Sequence, residues 1–95
     1  MLQYKAGYKF VDGGVHAQVL DFPAAITCGA DLAEARQLLT VALVDVAEAH
    51  LHCGRSLPNP NPQVNDPEMD LAEPIYLHLQ SSTEVSQAPA GVMSS

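Results

Sequence analysis
The segment "AHLHCG" sets His50, His52 and Cys53 close together, a grouping that invites a metal ion. On a helix His50 and His52 point to nearly opposite sides, so they cannot chelate together. His50 and Cys53 share a face, but two ligands fall short of the tetrahedral set that structural zinc takes. His16, Cys28 or His78 would have to be brought in by the fold. Core packing of Cys53, beside a partly buried His50, accounts for these residues without an ion. No metal site and no cofactor are expected. Carboxylates offer a second chemistry through Asp12, Asp21, Glu34, Asp45 and Glu48. Divalent-metal hydrolysis of a phosphodiester needs several of them to converge. Asp12 falls in a turn, Glu34 is used by a helix cap, and Asp45 and Glu48 lie on the solvent side of a helix. Neither cysteine has the companion motif of a nucleophile. No catalytic residue is expected, and the chain reads as a binding protein rather than an enzyme.

The elements that position these residues follow from periodicity. Leu2, Tyr4, Ala6, Tyr8 and Phe10 alternate with Gln3, Lys5, Gly7 and Lys9, the period of a half-buried strand over 2–11. Asp12-Gly13-Gly14 suits a tight hairpin, after which Val15, Ala17 and Val19 resume the alternation. Pro23 cannot donate to a ladder, so the second strand ends or bends there. Residues 25–28 (Ala-Ile-Thr-Cys) suit a short third strand, which Gly29 releases.

Asp31-Leu32-Ala33-Glu34 has the capping-box pattern: Asp31 accepts the amide of Glu34, and Glu34 reaches back to the amide of the cap. The helix from about Leu32 to Cys53 places Leu32, Ala35, Leu39, Ala42, Leu43, Val46, Ala49 and Cys53 on one stripe. Val41 and Val44 fall among polar residues instead, either as ordinary scattered surface valines or as a second contact surface between subunits or with a partner. Gly54 ends the helix. Residues 58–74 carry five prolines and read as an extended connection. Ile75, Leu77 and Leu79 then alternate as a fourth strand. The segment 81–95 reads as a disordered polar tail. The fold class expected is α+β, β-β-β-α-β, a small mainly antiparallel sheet covered on one face by a single long helix.

Charge narrows the partners. The 95 residues carry a formal net charge of −7, with 47% hydrophobic and 5% aromatic residues. That balance repels a phosphate backbone, so no direct DNA binding is expected. On its own it serves solubility, and it would also attract a basic protein partner. A foldable part near the roughly 70–80-residue limit for small domains points to a homodimer or higher homo-oligomer. No apolar stretch is long enough to span a membrane, and "MLQYKAGYKF" lacks a signal-peptide core, so a cytoplasmic location is expected.

Taken in order, the Gly turn at Asp12-Gly13-Gly14, the strand running into Asp21-Phe22-Pro23, Thr27, Gly29, the helix start "ADLAEA" and the closing "GRSLPNP" resemble the HicB-like antitoxin domain. The family's fold is described as a partial ribonuclease H fold. The resemblance covers roughly residues 3–80, within a domain set at 1–80. Ala24 departs from the family's Gly after Pro23, and the connection at 59–73 is longer and richer in proline. Fuller members continue into a helix-turn-helix or ribbon-helix-helix module, for which the segment 81–95 offers no match. The resemblance implies an antitoxin that binds and neutralises a small basic HicA-type mRNA-cleaving toxin. Val41, Val44, Asp45 and Glu48 are the candidate partner-binding residues by exposure. The alternative is a stand-alone, self-associating domain acting as a scaffold or regulatory subunit without a toxin. A metal or small-molecule binder is a third reading, kept only for the His and Cys residues.

Overall fold
The computed structural model describes residues 2–78. Along them run β1 (Leu2–Val11), β2 (Gly14–Val19), β3 (Ile26–Gly29), α1 (Leu32–His52) and β4 (Leu71–Leu77). The strands form one antiparallel sheet in the order β3-β2-β1-β4. The architecture is the α+β arrangement read from the sequence, with α1 packed on one face. Leu79 and the tail 81–95 lie outside the described residues.

Alternation in β1 and β2 does what the pattern requires. Tyr4, Ala6, Tyr8, Val15, Ala17 and Val19 are buried, and Ala35, Leu39, Leu43 and Ala47 of α1 close over them. Ile75 and Leu77 extend this aliphatic layer across β4. Phe10, expected on the buried face, is 51% exposed. Its neighbour on the β4 side is missing, because β4 begins opposite Tyr8. The hairpin pairs Val11 with Gly14 around Asp12-Gly13, and Gly13 supplies the positive φ of 83° that a two-residue turn needs.

The segment after β2 makes a compact return. Val19 N–H donates to Ala25 O at 2.9 Å, and Ala25 N–H donates to Phe22 O at 3.0 Å. This drops Phe22 into the core against Tyr4, with ring centroids 5.6 Å apart. Asp21 meanwhile takes over the pairing that β2 has abandoned. Its Oδ1 accepts the backbone N–H of Lys5 at 2.9 Å, and its Oδ2 accepts that of Asn61 at 3.0 Å. Gly29 then lets the chain turn into α1 at close range. A Cβ there would sit 2.7 Å from the Ala35 nitrogen, so only glycine fits.

Both helix ends are capped. Asp31 Oδ1 accepts Glu34 N–H at 2.8 Å, while Glu34 Oε1 accepts Ala30 N–H, one residue before the amide expected. At the other end Gly54 has φ 77°, with Gly54 N–H donating to Leu51 O and Arg55 N–H to His50 O. That pair of bonds is the Schellman motif. The buried residues Ala35, Leu39, Leu43 and Ala47 step by four throughout. Such a row drifts about 40° around the axis at each step. The drift turns Ala49 and Cys53, both expected in the core, out to solvent and brings Ala47 in.

The proline-rich connection is shorter than 58–74, because β4 starts at Leu71. It crosses the sheet face opposite α1. Lys5 Nζ donates to Val64 O at 2.8 Å, and Met69 with Leu20 fills the space above Gly7. Asp70 then locks the entry to β4, its N–H donating to Tyr8 O and its Oδ2 accepting Phe10 N–H. Pro74 sits within β4 at no cost to the ladder. Its partner Lys5 directs its N–H to Asp21 and its C=O to Leu20, both on the β2 side. The Pro74 nitrogen therefore faces the free edge, where no donor is needed. No helix among the described residues is long and apolar enough to cross a membrane.

Candidate partner-binding surface
The fold sorts the carboxylates by use. Asp21, Asp31, Glu34, Asp66 and Asp70 each accept backbone amides. Glu73 grips Arg36 through two bonds of 2.9 Å, fastening β4 to α1, and Glu68 lies 3.7 Å from Lys9. Burial first, and then the Glu73 carboxylate, push the phenol of Tyr8 up to about 12. Burial, helped by Asp21, also raises Tyr4, whose hydroxyl donates to Pro58 O at 2.7 Å. Among the described residues, Asp12, Asp45 and Glu48 form no salt bridge and no side-chain hydrogen bond within the fold. Asp12 stands in the hairpin turn.

Asp45 and Glu48 stand three apart on the outer side of α1, which makes them neighbours. Val41 lies one turn before Asp45 and is 57% exposed. Val44 differs from the exposed residue expected. It is half-buried and packs against the core, because the drift of the buried row brings its flank down onto the sheet. The surface around these positions is wider than the sequence reading placed it. Leu38 and Leu51 are also exposed, at 40% and 49%. Both occupy helical positions flanking the outer stripe, a signal that the count of exposed apolar residues on α1 could have supplied. The outer side of α1 thus carries Val41 and two unengaged carboxylates, with Leu38 and Leu51 exposed on its two flanks.

The residues that invited metal chemistry are placed apart. His52, Cys53 and Cys28 are all exposed, the last on β3. His50 is half-buried, as expected, with its ring edge-on to Phe22 at 5.1 Å and its Nδ1 buried without a partner. Among the described residues, no three His, Cys, Asp or Glu side chains are grouped to hold a metal. A groove of about 470 Å³ opens between β1, β4 and the connection, lined in part by Lys5, Asp21, Asn61 and Pro74. Its Lys5 and Asp21 already hold backbone carbonyls and amides.

A single helix over an antiparallel sheet ordered β3-β2-β1-β4 is a fold already seen in an antitoxin domain. The chain matches the crystal structure of the N-terminal domain of Burkholderia pseudomallei antitoxin HicB with a TM-score of 0.69 at 18% sequence identity. The match covers 82% of this chain and 100% of that one. At that identity the likeness is one of fold. No protein-family model and no curated protein matches the sequence.

Proposed function
We propose that this chain is a HicB-like antitoxin that binds and neutralises a small, basic, mRNA-cleaving toxin of the HicA type. The observation that carries the reading is the likeness of fold to the whole of the HicB N-terminal domain. The net charge of −7 and the unengaged Asp45 and Glu48 on α1 supply a means. An RNA-cleaving protein gathers lysines and arginines to hold phosphates. An acidic surface with an apolar background competes for those same cations and excludes RNA. The chain acts by covering its partner, with no reaction, metal or cofactor of its own, in the cytoplasm where mRNA is cleaved.

Co-expression tests this directly. A basic ribonuclease encoded beside this chain is expected to arrest growth alone, to be silenced by the chain, and to co-purify with it. The absence of rescue would leave the second reading, a stand-alone self-associating domain. That reading draws on β3, an outer strand of the sheet that carries neither proline nor charge.

The proposal also includes no operator binding by this chain on its own. The four Lys and Arg residues make no basic stripe, and Lys5, Lys9 and Arg36 are engaged within the fold. In a gel-shift assay at physiological salt, the 95-residue chain is expected to leave its upstream DNA unshifted at micromolar concentration. A specific shift would contradict this part of the reading.

A further inference from the structure
The sheet face opposite α1 is crossed by the proline-rich connection over β1, but it lies open over β2 and β3. His16 and Cys28 are exposed on that open part. They are directly opposite one another in the register of β2 with β3. Val19 N–H donates to Ala25 O, so the hydrogen-bonded pairs of these two strands fall on odd residues. His16 and Cys28 therefore form one of the close pairs in between, which exchange no backbone hydrogen bonds. In such a pair the Cβ atoms stand about 4.5–5.5 Å apart on the same side of the sheet. An imidazole thus faces a thiol across a single strand gap. Two donors fall short of a metal site, but a thiol needs only one base to become a nucleophile.

The second cysteine has similar exposure and different surroundings. Cys53 caps the C-terminus of α1, its N–H donating to Ala49 O. Negative charge forming on its sulfur meets the carbonyl end of the helix. His50, three residues back, turns its ring onto Phe22 instead of toward Cys53. Around Cys28 the charges are differently disposed. Lys9 follows His16 in the same cross-strand row and is paired with Glu68. Asp31 and Glu34, at the start of α1, are held by backbone amides. His16 is the base that the sheet sets against the Cys28 thiol.

We propose that Cys28 is a site of reversible thiol modification, with His16 as its base and a small-molecule disulfide of the glutathione type as the reagent. The imidazole takes the proton from Cys28 Sγ, and the sulfur attacks one sulfur of the disulfide. A new S–S bond forms as the old one breaks, and the departing thiolate takes the proton back from the imidazolium. Cys28 is oxidised and half of the reagent is reduced, with no other reactant. Because β3 is an outer strand, no further strand obstructs the approach of the disulfide. The inference rests on the chemistry of this sheet face and does not depend on the antitoxin reading.

Single-cysteine chains separate the two rates. Cys53→Ser leaves only Cys28, and Cys28→Ser leaves only Cys53. With glutathione disulfide as the probe and intact-protein mass spectrometry as the readout, Cys28 is expected to form the mixed disulfide roughly fivefold faster than Cys53, or more. Adding His16→Gln to each chain is expected to remove most of that advantage and to leave the rate at Cys53 unaltered. Thermal unfolding should not change, since His16 is exposed, which separates a base from a residue that only supports the fold. Alkylation by iodoacetamide, which needs the same thiolate but no disulfide, should follow the same order. Equal rates at the two cysteines overturn the proposal. So does a Cys28 rate that His16→Gln leaves unchanged in the folded chain.

Discussion

Reversing Asp45 and Glu48 together to Lys is expected to slow association with a basic ribonuclease by roughly ten- to a hundredfold at low salt. Both side chains are exposed and neither is used by the fold, so circular dichroism and thermal stability should hardly change. Long-range attraction of this kind acts on the encounter more than on the bound state. Association by the unmodified chain should therefore fall steeply as salt rises, with dissociation changing far less. Stopped-flow mixing over a salt series measures both. An association rate unaltered by the double reversal would mean that the toxin docks elsewhere than on this face of α1.

Replacing Asp21 by Ala is expected to be the most damaging surface change. One carboxylate holds the Lys5 amide where β2 has left off and the Asn61 amide where the connection crosses over. Its removal leaves the part-buried Lys5 N–H without an acceptor and frees the strap beneath the sheet. A charge-assisted bond of this kind contributes about 1.5–3 kcal/mol, and the Asn61 bond, being exposed, contributes less. We expect a loss of about 2–3 kcal/mol, or roughly 10 °C or more in Tm for a domain of this size. Asp21→Asn keeps one oxygen acceptor and should recover part of the loss. Urea unfolding at wild-type midpoint for Asp21→Ala would show that the two bonds are replaced by water at no cost.

Local physics that a sequence displays directly was legible. Period-two alternation placed β1 and β2, and the Asp-Gly turn joined them in register. Asp31, Glu34 and Gly54 marked the ends of α1, because caps are made by residues next to the bonds they satisfy. What escaped depends on partners distant in the chain. Leu71–Glu73 is strand only because it lies along β1, and Pro74 disguised it, since its harmless orientation depends on Lys5 facing β2. Cys53 and Ala49 read as core on an ideal stripe, whereas the helix contacts the sheet along a row stepping by four. Asp21 looked like a free carboxylate before a proline. Its role appears only once Lys5 and Asn61 are brought to it from either side. Of the candidate surface, Asp45, Glu48 and Val41 were readable as outward-facing, while Val44 was misplaced by the same drift of the buried row.

The central claim is that this fold covers an RNA-cleaving partner, and inhibition measured with purified components tests it most directly. The basic ribonuclease encoded beside this chain would be incubated with messenger RNA while the chain is titrated in at physiological salt. Cleavage is expected to fall in proportion to added chain and to cease near a fixed stoichiometric ratio. Cleavage that continues unchanged in large molar excess of the folded chain would contradict the account.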